Sequence, residues 1–352
     1  MRDEIKFIAG VLTGGEPHCA ADFDWYYILG FLELHKIAGV FYRRAAEKNI
    51  KIPTVVLRKL QGIFKGQEYR VRLMRKWIED VSYELDCAKL DYIFLKGSVL
   101  AHTVFCGAPA YSDGERVSND IDILVRSSCV TEVANALKNM GFKQGFWDWK
   151  TQKFNPLSRA EIVSRRMNRG ETAPFIALTE NERVPFIEVD VNFSVDYLPT
   201  GGERIVDAML LSKKQYGGKT KRRLYGASPE WFFIHLILHQ YKESVLYFMA
   251  ERGKETDLYK LLDIYLLMKN GIIDLETVKN IAVVYGLTGE VCAVLQSVQK
   301  VFNCEIPEWA KAEQREPRVV MPAENREFEW TAPLEERISF FNRLSFLREV
   351  NR

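Results

Sequence analysis

The stretch from Tyr92 to Val125 constrains the fold more than any other part of this sequence. It opens with an apolar run that stops at Lys96, and it closes with an apolar strand that carries Asp120 and Asp122. Two acids separated by one residue on a strand point to the same face of a sheet. Burying both without a cation is costly, because like charges a few ångströms apart raise each other's pKa. The pattern therefore predicts that a divalent metal binds here.

Gly97 and Ser98 follow the first apolar run and indicate a phosphate site. The sequence predicts a short buried strand over Ile93–Leu95 and a helix over Ser98–Phe105, so the two residues would lie at a strand-to-helix turn. Free backbone N–H groups and the positive end of the helix dipole converge at such a turn. We therefore expect the two amides and the serine hydroxyl to bind a triphosphate.

A later segment supplies a third acid. A hairpin is predicted from Pro174–Thr179 and Pro185–Phe193, and in its second strand Glu188, Asp190 and Asn192 share one face. One interpretation is a half-buried strand whose polar face meets water. The other, favoured because two acids lie side by side, makes Asp190 a site residue and leaves Glu188 as its neighbour. A third carboxylate can complete a second metal site or accept the proton of an attacking hydroxyl, as phosphoryl or nucleotidyl transfer requires.

Composition limits the class of protein. At 352 residues the chain is long enough for about two domains, and 47% hydrophobic with 27% charged residues is typical of a soluble globular protein. The net charge of +2 gives no reason to expect extended binding to nucleic acid or a membrane, although a local basic patch stays open. The six cysteines are scattered, no signal peptide precedes them, and no apolar run reaches ~18 residues. We therefore expect a reduced, cytoplasmic protein without a membrane partner.

Helical periodicity flanks the central region on both sides. Apolar residues recur at helical spacing over 24–48 and from Pro53 to Leu85, and helices return after Ser228. A stripe from Leu334 to Val350 predicts a terminal helix that docks on the body. The expected organisation is an N-terminal helical segment, a catalytic domain, a C-terminal helical domain and an irregular tail, over 1–90, 91–226, 227–304 and 305–352.

Two further features each keep two interpretations. Residues 150–172 are polar, with arginines between Arg159 and Arg169, which suits a mobile solvated loop or a flap whose arginines meet phosphates or an acidic acceptor. His235 and His239 are one helical turn apart, but no glutamate follows His235 as in a zinc-binding His-Glu-x-x-His motif. We expect core or capping histidines, with a nucleotide contact as the alternative.

The central motifs resemble those of a known family. Lys96-Gly97-Ser98, followed by Arg116-x-x-x-Asp120-Ile-Asp122-Ile-Leu-Val, is similar to the signature of the uncharacterised bacterial nucleotidyltransferase family of the DNA polymerase β-like superfamily. The similarity extends from about Trp25 to Leu267. It implies an α+β fold, with a mixed polymerase β-like sheet and flanking helices, an N-terminal helical layer and a C-terminal helical domain.

The resemblance also implies a metal centre. Asp120 and Asp122 would bind Mg²⁺ (or Mn²⁺), and Asp190 would be the third carboxylate, as metal ligand, general base or both. Many members of this branch have histidine two positions after the third acid, where this chain has Asn192. The role of that histidine is therefore not transferred.

The phosphate-binding residues follow from the same resemblance. Gly97 and Ser98 would bind the nucleotide phosphates. Lys96 and Arg116 lie beside the two motifs and would neutralise triphosphate charge. The alternative for either cation is an ion pair with a structural acid such as Asp113 or Glu115.

These residues predict a Mg²⁺-dependent nucleotidyltransferase. It would move a nucleoside monophosphate, AMP from ATP in the favoured version, onto a hydroxyl of a small-molecule acceptor and release pyrophosphate. One alternative is a toxin-like nucleotidyltransferase that acts on tRNA or protein. Another is a non-catalytic nucleotide-binding protein of the same fold. The sequence leaves the oligomeric state and the base specificity open.

Overall fold

A computed structural model of the protein describes residues 1–15, 23–107, 110–116, 118–195, 203–312, 316–340 and 342–350, without the side chains of residues 168, 169 and 323. The helices are α1 (Asp3–Thr13), α2 (Trp25–Leu34), α3 (Ala38–Glu47), α4 (Thr54–Cys87), α5 (Lys96–Leu100), α6 (Val130–Asn139), α7 (Arg159–Arg169), α8 (Glu203–Leu211), α9 (Pro229–Ser244), α10 (Tyr247–Glu251), α11 (Leu258–Lys269), α12 (Leu275–Tyr285), α13 (Thr288–Phe302) and α14 (Leu334–Arg337). The strands are β1 (Tyr92–Phe94), β2 (Asp120–Val125), β3 (Lys143–Asp148), β4 (Lys153–Pro156), β5 (Phe175–Leu178), β6 (Phe186–Asn192), β7 (Lys214–Tyr216), β8 (Leu224–Gly226), β9 (Val319–Met321), β10 (Arg326–Trp330) and β11 (Leu347–Glu349). Among these helices, none is long and apolar enough to cross a membrane.

The chain divides into two compact units. The first consists of residues 1–65 and 233–352, and the second of residues 66–232. The boundaries fall inside α4 and α9. All the acids and phosphate-binding residues singled out above belong to the second unit. The four-part organisation expected from the sequence remains a prediction.

A mixed sheet forms the centre of the second unit. Within the described residues it has six strands in the order β1-β2-β6-β5-β3-β4. β2 and β6 pair in parallel, and the other neighbours pair antiparallel. A mixed sheet flanked by helices confirms the predicted α+β class.

Strand β2 shows why this sequence forms the middle of the sheet. Its β-branched side chains Ile121, Ile123 and Val125 are fully buried on one face, and each such side chain stabilises the fold by about 2 kcal/mol. Alternation then places Asp120 and Asp122 on the opposite face. The apolar face fixes the register, because a slip by one residue would bury the acids among apolar side chains.

Helix α7 corrects the expectation of a loop over residues 150–172. Ser158 and Glu161 form a capping box in which each side chain accepts a hydrogen bond from the other residue's backbone N–H. Gly170 ends the helix in the left-handed conformation, with φ of 66°. The capping box and the terminal glycine can both be identified in the sequence, so this helix could have been predicted from it.

The helices expected at two other places are also wrong in extent. The helix expected over Ser98–Phe105 is α5, which begins at Lys96 and ends at Leu100, because the Val104 N–H pairs with the Gly217 carbonyl and draws the chain out of the helix. The terminal helix expected from Leu334 to Val350 stops at Arg337. The residues beyond it form β11, which pairs with β10, and this pairing overrides the helical spacing of the apolar side chains.

The first unit contains a charged pair inside its core. Arg343 and Glu255 are each 1% exposed, and Arg343 Nη1 donates a hydrogen bond of 2.6 Å to Glu255 Oε1. Arg343 Nη2 also lies 3.3 Å from Nε2 of the buried His35. The guanidinium thus offsets the charge of a carboxylate that is removed from water.

Candidate active site

The register of β2 and β6 brings three acids together. Asp122 pairs with Asp190 and Asp120 with Glu188 across the parallel strands, so these side chains emerge on one face. Ligand oxygens of Asp120, Asp122 and Asp190 all lie within 4.8 Å of one another. Asp122 is 2% exposed, and the other two are half-buried. The structure therefore places the three acids singled out from the sequence, hereafter the acid cluster, within reach of one ion.

Lys96 and Ser98 both contact Asp122. The Lys96 ammonium donates a hydrogen bond of 2.7 Å to Asp122 Oδ1, so its partner is a cluster acid and not Asp113. Lys96 also has φ of 46°, a conformation that costs a side-chain-bearing residue about 1 kcal/mol or more. Ser98 is fully buried, and its Oγ accepts the Asp122 backbone N–H at 3.0 Å. Both side chains therefore fix the position of this strand acid.

Gly97 lies against Arg116 and Ser118. A Cβ on Gly97 would come within 2.6 Å of Ser118 Oγ and would overlap Arg116 Nη1. Arg116 is 5% exposed and Ser118 4%. Glycine is required here because a positive side chain occupies the space that any larger residue would need. The sequence motif named Arg116, whereas Ser118 carries no signal of its own.

Burial dominates the pKa values of these groups. It raises the pKa of Asp122 to about 6, with Lys96 opposing the shift and Asp120 adding to it. Burial and repulsion from the two β2 acids raise the pKa of Glu188 to about 7 and that of Asp190 well above its usual range. Burial alone would lower the pKa of Lys96, but attraction by the acids raises it. Without a cation the site therefore favours protons that a metal would displace.

Arg70 is a site neighbour that sequence reasoning missed. It extends from α4, and its Nη2 donates a hydrogen bond of 3.0 Å to the carbonyl of Asn119, directly before β2. Burial lowers the pKa of Arg70, while the charges of Asp120 and Glu188 oppose that shift. No motif marks it, because its closeness to the acids depends on how α4 packs.

The other residues singled out lie in different surroundings. Arg165 on α7 is close enough to Glu188 to lower the pKa of that acid against the effect of burial. His239 Nε2 lies 3.4 Å from Glu243 Oε1, in the first unit. Within the described ranges, the acid cluster is the group of three side chains able to share an ion, and neither His235 nor His239 belongs to it.

The donor set of the acid cluster fits a hard divalent cation. All three side chains offer carboxylate oxygens, which Mg²⁺ and Mn²⁺ prefer over the nitrogen and sulfur ligands typical of zinc. A raised carboxyl pKa, as at Asp122 and Asp190, is the expected state of such a site before it binds a metal. The residues thus fit the predicted group.

Comparison with known proteins gives one match. A family model described as "uncharacterised nucleotidyltransferase" matches residues 21–303. No curated protein matches the chain, and no solved structure matches it. The matched range includes the whole sheet of the second unit and every acid of the cluster.

Proposed function

The chain belongs to this family of uncharacterised nucleotidyltransferases, and we propose that it transfers a nucleoside monophosphate from a nucleoside triphosphate to a hydroxyl, with the acid cluster as its metal-dependent centre. The observation that carries the proposal is the approach of Asp120, Asp122 and Asp190 to within 4.8 Å. Three acids this close are costly to retain without a cation.

The proposed reaction forms one bond, breaks another and transfers one proton. The acceptor oxygen attacks the α-phosphorus, the bond from that phosphorus to the pyrophosphate oxygen breaks, and pyrophosphate leaves. Asp190 is the residue we assign to accept the hydroxyl proton, because it is the third carboxylate of the cluster and lies on the strand next to the two β2 acids. Mg²⁺, held by Asp120, Asp122 and Asp190, would supply charge stabilisation to the phosphoryl oxygens.

The β1–β2 side of the site would bind the triphosphate. The backbone amide of Gly97 is the proposed donor, and Arg116 against Gly97 supplies positive charge. The Ser98 N–H donates instead to the Leu95 carbonyl at 3.1 Å and its hydroxyl accepts the Asp122 N–H, so Ser98 holds the turn and Asp122 in place. Lys96 neutralises Asp122 and would be shared with a phosphate oxygen once nucleotide binds. Preorganised charge of this kind supplies most of the rate in phosphoryl transfer.

The identity of the donor nucleotide and the class of the acceptor are more specific parts of the proposal. We propose ATP as the donor. The sequence predicts two classes of acceptor, a small-molecule hydroxyl as the favoured one and tRNA or protein as the alternative. The thiols of Cys87, Cys106, Cys129, Cys292 and Cys304 are free, which supports the proposed cytoplasmic location. Cys19 lies outside the described residues.

Two aspartate variants test the chemistry. Asp120→Ala and Asp122→Ala should each abolish Mg²⁺-dependent release of pyrophosphate from ATP while the protein stays folded. Asp80→Ala, which removes an exposed acid from α4, serves as the matched control and should keep full activity. Full activity in either cluster variant would refute the proposal.

A labelling experiment separates the acceptor classes. ATP labelled at the α-phosphate is incubated with the protein and a cell extract, and the label is followed into small metabolites, RNA and protein. Calorimetry tests the non-catalytic alternative. ATP that binds equally well with and without Mg²⁺, and never yields a product, would favour that alternative.

A further inference from the structure

Three aromatic rings form a cluster at the β3–β4 hairpin and the start of β6. The ring of Phe186 lies 5.4 Å from that of Trp147 and 5.7 Å from that of Trp149, between centroids. Trp149 is nevertheless 62% exposed. Trp147 Nε1 is buried and has no hydrogen-bond partner in the part of the chain that the structure describes. A large ring exposed to solvent, packed on other aromatic rings and beside an unused donor, is typical of a ligand contact.

The cluster lies on the same face of β6 as the acids. Phe186, Glu188 and Asp190 alternate along that strand and therefore point to one side. Asp190 is four positions after Phe186, about 13 Å along the strand at ~3.3 Å per residue. The rings thus mark a binding surface that starts near the acid cluster and extends away from it.

The direction of the reaction makes this the acceptor side. The proposed triphosphate ligands Gly97 and Arg116 lie on the β1–β2 side of the site. In-line displacement puts the attacking oxygen opposite the leaving pyrophosphate. The acceptor would therefore approach from β6 and β5, where Phe186 supports the two tryptophans.

Two lysines, Lys150 and Lys153, lie at the β3–β4 turn beside the cluster, in a segment rich in basic residues. Residues 143–166 contain two acids, and both have local partners: Asp148 accepts hydrogen bonds from Thr151 and Lys150, and Glu161 belongs to the capping box of α7. The basic residues of the same segment, all exposed except the half-buried Arg165, are Lys143, Lys150, Lys153, Arg159, Arg165 and Arg166. Their excess over the two acids is larger than the net charge of +2 of the whole chain. Positive charge is therefore concentrated in this segment, and its two lysines beside the rings are complementary to a phosphate backbone.

We infer that this surface binds a single strand of nucleic acid and presents its terminal hydroxyl to the acid cluster, an inference that rests on the proposed function. Unpaired bases stack on exposed aromatic rings, and basic side chains follow the backbone. The distance of about 13 Å corresponds to about four stacked nucleotides at a rise of ~3.4 Å. A small acceptor at Asp190 would not reach Trp149. The strand's terminal oxygen attacks the α-phosphorus, its proton passes to Asp190, and pyrophosphate leaves.

Binding of a labelled RNA tests the surface directly. The probe is a fluorescein-labelled, unstructured RNA of about twelve nucleotides, within the usual range of single-strand site sizes. Its anisotropy is measured with the full chain at low salt. Trp149→Ala should weaken binding about ten-fold, and Trp149→Phe should restore most of it. Phe146→Ala is the matched control, because Phe146 is 46% exposed and points away from Trp147 on the same strand.

A charge variant keeps the test independent of the aromatic ring. Lys150→Glu with Lys153→Glu should weaken binding and reduce its dependence on salt. A duplex of the same sequence should compete poorly, because its bases are already stacked. No binding by the wild type, or equal binding by wild type and Trp149→Ala, overturns the inference.

The outcomes also separate this inference from the proposed function. If label from ATP enters a small metabolite at a rate that Trp149→Ala leaves unchanged, the acceptor is small and the inference fails while the proposed function stands. If RNA binds through Trp149 but no nucleotidyl transfer occurs with any acceptor, the proposed function fails while the binding surface stands. Label on the RNA, lost in Trp149→Ala and in Asp120→Ala alike, supports both.

Discussion

Replacing Asp190 by asparagine should stabilise the metal-free protein while removing its response to Mg²⁺. The wild-type chain holds three acids whose ligand oxygens lie within 4.8 Å of one another, and Lys96 pairs with Asp122. Asparagine has nearly the same shape as aspartate but carries no charge. The substitution therefore removes repulsion that the folded state must otherwise relieve.

Two energies set the expected gain in stability: the repulsion between the acids and the cost of protonating Asp190. At an effective dielectric constant of about 20, two unit charges 4.8 Å apart repel by about 3 kcal/mol, and Asp190 has two such neighbours. Protonating Asp190 costs less than bearing the repulsion of both neighbours. Holding a carboxyl protonated at pH 7 costs about 4 kcal/mol when its ordinary pKa is near 4. The raised pKa of Asp190 agrees with that choice. Because Lys96 relieves part of the repulsion, we expect a gain of about 2 to 4 kcal/mol at pH 7.

Urea unfolding measures both parts of this prediction. A carboxyl whose pKa is raised by folding loses stability as the pH rises above its unfolded value, so the gain from Asp190→Asn should be large at pH 7.5 and vanish near pH 4. Mg²⁺ at ten times its Kd should stabilise the wild type by about 1.4 kcal/mol and leave the variant unchanged. Glu182→Gln, which neutralises an exposed acid, is the control. A variant less stable than the wild type in EDTA at pH 7.5 would refute the electrostatic reasoning.

Three other results should follow. Gly97→Ala should lower kcat about a hundred-fold, because a Cβ displaces Arg116. Gly62→Ala on α4, where the structure shows open space, should keep activity and add about 1 kcal/mol of stability. Equal activity of the two variants would contradict the close packing at Gly97. Calorimetry should find Mg²⁺ binding tighter as the pH rises from about 5 to 8, because the acid cluster must lose its protons; a Kd independent of pH would count against that. Arg343→Met should lower the free energy of unfolding in urea by about 3 to 5 kcal/mol, because it leaves Glu255 buried and unpaired. Adding Glu255→Gln should recover part of this stability. An unchanged unfolding midpoint in the single variant would contradict the prediction.

The acid cluster was predictable because its geometry follows from alternation along strands. Asp120 and Asp122 had to share a face once Ile121 and Ile123 were buried, and Asp190 had to share a face with Glu188. What the sequence did not contain was the parallel pairing that sets the two strands side by side. The expected meeting of the three acids depended on the family resemblance and on the chemistry, and the structure supplies the register.

The features that sequence reasoning missed have three different causes. Ser158 and Glu161 form a capping box, which is a local signal for the start of α7. A loop was predicted instead because the segment is polar and rich in arginine. Arg70 had no local signal, because its contact with Asn119 depends on the packing of a long helix. The tail was misread for a third reason: the pairing of β11 with β10 is nonlocal, and it outweighs a helical pattern.

The pairing of β2 with β6 also determines at which stage of folding the proposed metal site is complete. Between Asp122 and Asp190 the chain makes α6, β3, β4, α7 and β5 before it returns to the neighbouring position in the sheet. Closing so long a loop has an entropic cost that only the completed strand pairing offsets, and contacts of this range form slowly. Partly folded chains hold the two β2 acids without the third. We therefore expect the proposed ion to bind late in folding, and only to molecules in which β6 has paired with β2.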